Sequence, residues 1–73
     1  MNRRWKIEII LKSGEHIYGY YDGVEENSSD VAHKLLTGSQ NAITGICSND
    51  GGNLLYYVGE VAACMITLVG CDI

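Results

Sequence analysis

The 73 residues carry none of the short signatures that announce common chemistries. There is no G-x-S-x-G elbow, no Walker lysine, no H-E-x-x-H pair and no C-x-x-C. Nucleophilic catalysis needs a nucleophile, a base in reach and a third group that orients the base, and the sequence offers no such set. His16 and His33 each lie near a serine or an acid, which is expected by chance in so short a chain. They read as a strand-end residue and a residue on the polar side of a helix, so no catalytic residue is assigned and the chain is expected not to be an enzyme. Cysteine is scarce and odd in number: Cys47, Cys64 and Cys71. Three scattered thiols and two histidines do not make a four-ligand zinc site, so neither a metal nor a cofactor is expected. Reduced, mostly buried thiols and the absence of a secretory segment ahead of Arg3 and Arg4 point to a cytoplasmic protein. No apolar run approaches the ~20 residues of a membrane span.

Positive charge is also in short supply. Five basic residues against nine acidic ones leave a net charge of −4, which disfavours broad nucleic-acid binding. Arg3, Arg4, Lys6 and Lys12 crowd the first strand pattern, whereas Asp22, Glu25, Glu26 and Asp30 form an acidic stretch without a basic residue inside it. That stretch is short of the EF-hand spacing. It reads as a solvated loop ahead of a helix or, more sharply, as an acidic patch for a basic surface on another protein.

What is present is strand pattern. Trp5 to Lys12 alternates, with Trp5, Ile7, Ile9 and Leu11 on one side and Lys6, Glu8, Ile10 and Lys12 on the other. His16 to Asp22 is its hairpin partner. A two-residue Ser13-Gly14 loop is expected, which pairs Lys12 with Glu15, Ile10 with Ile17, Ile9 with Tyr18 and Ile7 with Tyr20. A three-residue loop would pair Ile9 with Ile17 instead. In the expected register Tyr18 and Tyr20 enter the core, while Tyr21 and one of Tyr56 or Tyr57 are exposed as interface anchors or as platforms for a planar ligand.

Asn27, Ser28 and Ser29 are candidate N-caps for a helix of about ten residues with Asp30 in its first turn. Val31, Ala32, Leu35 and Leu36 form its apolar stripe, Asp30 and Lys34 an i, i+4 pair, and Gly38 its stop. Strands are then expected over 42–48, 54–58 and 61–69, with a turn at 49–53. The last is apolar on both faces and needs cover on both. The helix supplies one cover and a second subunit the other, so Val61, Ala63, Met65, Ile66 and Leu68 are the expected oligomer interface. A single domain of this size buries only about 60% of its unfolded surface, so association would add stability. The fold class is α+β and β-rich: a bent antiparallel sheet of about five strands, an SH3- or Sm-like open barrel being one form, with one helix inserted after the second strand.

"LKSGEHIYGYYDG" resembles the first motif of Sm-like proteins through Leu11, Lys12, Gly14, Gly19 and Gly23, and "YYVGEVAACMI" is similar to the second through Gly59 and Val61. That resemblance implies an RNA-binding ring. The family's opening helix, its nucleotide-holding Asp and Asn and its second-motif Arg have no counterpart here, Val58 standing in the last place. "IEIILKSG" and "YVGEVAA" also resemble small phage and prophage proteins. That resemblance implies a bacterial cytoplasm and a binding role as a homo-oligomer: inhibition of a host antiviral-defence protein, or sequestration of a small nucleotide signal at a subunit interface. The partner-binding residues expected on this reading are Asp22, Glu25, Glu26, Asp30, Tyr21, Tyr56 and Tyr57.

Overall fold

The computed structural model describes residues 2–71. Five strands, β1 (Arg3–Leu11), β2 (His16–Gly23), β3 (Ile43–Cys47), β4 (Asn53–Tyr57) and β5 (Val61–Cys71), form one antiparallel sheet. Helix α1 (Ser28–Leu36) lies between β2 and β3, and a 3₁₀ turn (Val58–Glu60) links β4 to β5. The β-rich α+β architecture is the one the sequence predicts.

The β1–β2 register differs from the expected one. Ile9 pairs with Ile17, Ile7 with Gly19 and Trp5 with Tyr21. The loop holds three residues, Lys12 to Gly14, closed by Leu11 N–H donating to Glu15 O at 2.8 Å and Gly14 N–H donating to Leu11 O at 2.9 Å. Gly14 has φ +91°, so the glycine ends a three-residue loop rather than a two-residue one. One extra loop residue moves every β2 side chain to the opposite face. Tyr18 and Tyr20 therefore stand opposite Glu8 and Lys6, away from the core, and Tyr21 turns inward beside Trp5.

The strand order is β4-β3-β2-β1-β5, so the 3₁₀ turn joins strands at opposite edges. A flat five-stranded sheet is about 19 Å wide, four spacings of ~4.8 Å. The four residue steps from Tyr57 to Val61 reach about 14 Å at most. The sheet must therefore curl. The bend concentrates where β3 meets β2, since only Tyr20 and Cys47 pair there. Gly19 permits it: a Cβ at that position would fall 2.3 Å from the Cys47 carbonyl oxygen.

The curl encloses Trp5, Ile7, Ile9, Ile46 and Tyr56, and α1 adds Val31 and Leu35. Those two helix residues are four apart and share one face. Asn27 caps α1, its side-chain oxygen accepting from Asp30 N–H at 3.0 Å, and Gly38 follows the helix with φ +123°. No ion pair joins Asp30 to Lys34. The helix packs against β5 and β3, and Tyr56 Oη donates to Leu35 O at 2.8 Å. It thus lies on the inner side of the sheet. Among the described residues no element covers the outer side.

Candidate binding face

Alternation places every second side chain of each strand on the outer face. From β1 and β2 come Arg4, Lys6, Glu8, His16, Tyr18, Tyr20 and Asp22, in cross-strand pairs. The β3–β4 ladder pairs Ile43 with Tyr57 and Gly45 with Leu55 on the same side. From β5 come Ala63, Met65 and Thr67.

Two pairs on this face are held within the chain, Arg4 with Asp22 and Glu8 with His16, while Lys6 between them has no ion-pair partner among the described residues. Arg4 holds Asp22 with two hydrogen bonds, at 2.8 and 2.9 Å, and its guanidinium lies 5.7 Å from the Tyr20 ring centre. The bond from Arg4 holds the Asp22 carboxyl below its usual range, and the same bond raises Arg4. Glu8 Oε2 lies 2.7 Å from His16 Nδ1. Hydrogen bonds from His16 and then from Tyr18 hold Glu8 below the usual carboxylate range. His16 and Tyr18 stack at 6.3 Å between ring centres.

The outer side of the strands also exposes apolar surface. Leu55 is 69% exposed, Met65 63%, Ile43 59%, Tyr57 53% and Tyr18 52%. Ile43, Leu55 and Tyr57 are contiguous, and with Tyr56 they line a shallow hollow of about 230 Å³. The glycine at 45 lets Leu55 lie flat across β3, where a Cβ would meet Leu55 Cδ2 at 2.6 Å. Contiguous exposed apolar side chains are more informative than isolated ones.

Comparisons with protein-family models, with curated proteins and with solved structures find no match. The face is therefore read from its own chemistry.

The residues expected to bind a partner fall in three places. Tyr57 and Asp22 are on the outer face, Asp22 already engaged by Arg4. Tyr21 and Tyr56 point inward and are withdrawn from it: Tyr56 is buried in the core and Tyr21 is half-buried beside it. The Tyr21 hydroxyl donates to Glu25 Oε2 at 3.0 Å, and burial first, then this bond, raises its pKa. Within the acidic stretch Asp22 is ion-paired, while Glu25, Glu26 and Asp30 have no basic side-chain partner among the described residues. Arg3 reaches back from β1 to the Val24 and Glu25 carbonyl oxygens, at 3.2 and 3.5 Å, and Arg4 takes Asp22. Glu26 and Asp30 remain exposed at the start of α1.

Of the expected interface on β5, Ala63 and Met65 are exposed on the outer side, Val61 and Ile66 are half-buried against the core, and Leu68 is 45% exposed. Sequence reasoning missed Ile43, Leu55 and Tyr18 as outer-face residues. The alternation Ile43-x-Gly45-x-Cys47 held the signal for Ile43, and the register error hid Tyr18. Among the described residues no group of three His, Cys, Asp or Glu side chains is placed to hold a metal ion, and no helix is long and apolar enough to cross a membrane. Cys47 and Cys71 are exposed free thiols, contrary to the expectation of burial, and only Cys64 is half-buried, its thiol pushed up by that burial.

Proposed function

We propose that this chain is a non-enzymatic binding protein that engages another protein through the outer face of its sheet. The observation that supports this is the contiguous exposed group of Ile43, Leu55 and Tyr57 on the β3–β4 ladder. A contiguous group of exposed apolar side chains matches the apolar core of a protein–protein interface. The chemistry is a poor match for a phosphate backbone, since the chain carries a net charge of −4 and, with Arg4 committed to Asp22, Lys6 is the one unpaired cation on this face among the described residues. The likeness to small phage proteins gives the reading its specific form, inhibition of a host defence protein by occlusion.

The test is affinity capture from bacterial lysate with three forms of the protein: wild type, the pair Leu55→Lys with Tyr57→Lys, and Lys34→Glu on the helix. A host protein retained by wild type and Lys34→Glu and lost by the Leu55/Tyr57 pair supports the reading. Equal retention by all three removes the face from the mechanism. A rise in melting temperature on adding a small nucleotide, or capture of RNA that fades steeply with salt, would instead favour sequestration or RNA binding.

A further inference from the structure

We propose that the outer edge of β5 is a self-association site, where β5 pairs antiparallel with β5 of a second copy across a twofold axis at Ile66. This contact uses a strand edge rather than the outer face, so it stands or falls separately from the function proposed above.

No further strand lies beside β5: it ends the strand order and, among the described residues, pairs only with β1, with α1 packed against its inner side. Among the described residues no loop or side-chain hydrogen bond reaches positions 62–71. The direction of its free groups follows from the hairpin. Leu11 N–H donates to Glu15 O on the β2 side, and Lys12 N–H donates to Glu60 O on the β5 side. Odd residues of β1 thus bond β2 and even ones bond β5. In the ladder Ile10 meets Ala63, Glu8 meets Met65 and Lys6 meets Thr67. Those three β5 residues spend their backbone groups on β1. Cys64, Ile66 and Leu68 therefore turn N–H and C=O outward.

Folded proteins usually blunt such an edge with short length, lysine, proline or a central bulge. β5 uses none of these. It is 11 residues long, carries no charged side chain, and the whole chain lacks proline. Its register shifts lie opposite Arg4/Trp5 and Ile10/Leu11, which leaves 63–68 regular. The other edge strand, β4, has only 5 residues.

A second copy of the same uncharged strand can meet the outward groups of Cys64, Ile66 and Leu68 in kind. An axis at Ile66 sets Ile66 against itself and Cys64 against Leu68 of the second copy. Each of these three residue pairs is then of the type that exchanges two N–H···O bonds. An uncharged strand meets itself without like-charge repulsion. On the outer side the same axis sets Met65 against Thr67 of the second copy, which makes the register testable.

Sedimentation of the full chain from low to high micromolar concentration should show monomer passing to dimer. The variant M65K/T67K places like charges across the axis and should weaken the dimer about tenfold or more relative to M65K/T67E, which places opposite charges there. Thermal melts of dilute samples verify that both variants fold. Amide exchange at Cys64, Ile66 and Leu68 should slow as concentration rises. A monomer at every concentration, assembly beyond a dimer, equal dimerisation of the two variants, or exchange at those amides that ignores concentration would each overturn the proposal.

Discussion

Tyr56 links the sheet to the helix with a single side chain. Its ring fills the core while its hydroxyl satisfies the Leu35 carbonyl, one of the last-turn acceptors that α1 itself leaves unbonded. Tyr56→Phe should lower stability by about 1 kcal/mol in urea titration, because the carbonyl stays buried without its donor. Burial, with a smaller effect of Cys64, pushes the Tyr56 pKa up to about 12. The unfolded chain releases this proton near pH 10, so the native state binds more protons between those values. Stability should therefore fall as pH rises from 10 towards 12, and Tyr56→Phe should shallow that fall in melting temperature. Gly19 makes a sharper case. Gly19→Ala drives a methyl into the Cys47 carbonyl and should destabilise far more than a surface change of equal size, to the point of lowering soluble yield. Both residues were legible only in part. The pair Tyr56-Tyr57 announced one ring in and one out, but nothing local says which. That choice depends on which face β3 and α1 cover, a tertiary fact.

Helix α1 was the most legible element, because its signals are local. The Asn-Ser-Ser run, the Val31/Leu35 spacing and Gly38 all act within a turn of where they stand. Asn27→Ala should cost about 1 kcal/mol through the lost bond to Asp30 N–H, and Asn27→Asp should restore most of it. A cap variant that melts with the parent would mean the helix is held by Val31 and Leu35 alone. The β1–β2 hairpin was legible as an element but not in register. A single glycine at the end of Lys12-Ser13-Gly14 serves either a two- or a three-residue loop, and β2 carries apolar rings at 18, 20 and 21 on both its faces. Hydrophobic pattern alone therefore could not choose the face, and the turn geometry did.

At the scale of the molecule, solvent-side hydrogen bonds shape the response to acid. Arg4 at Asp22, His16 at Glu8 and the Ser48 hydroxyl at Asp50 each hold a carboxyl below its usual range. The unfolded state then takes up these protons first as pH drops through about 4, so stability should decline with acidification and level off above that range. Urea midpoints measured across the acid limb should show it, and Glu8→Gln should flatten the slope. These contacts were not legible in the sequence: Arg4 lies eighteen positions from Asp22 and Arg3 some twenty from the Val24 and Glu25 carbonyls it meets, and only β1–β2 pairing brings them together. The three-residue link between β4 and β5 has a mechanical corollary. It acts as a hoop, holding the rims of the sheet close by being too short to let them part. A glycine–serine insertion after Gly59 would slacken it, wet Ile46 and Tyr56, and raise the fluorescence of a dye that lights up on apolar surface. An insertion tolerated without change would show that packing, rather than tether length, keeps the curve.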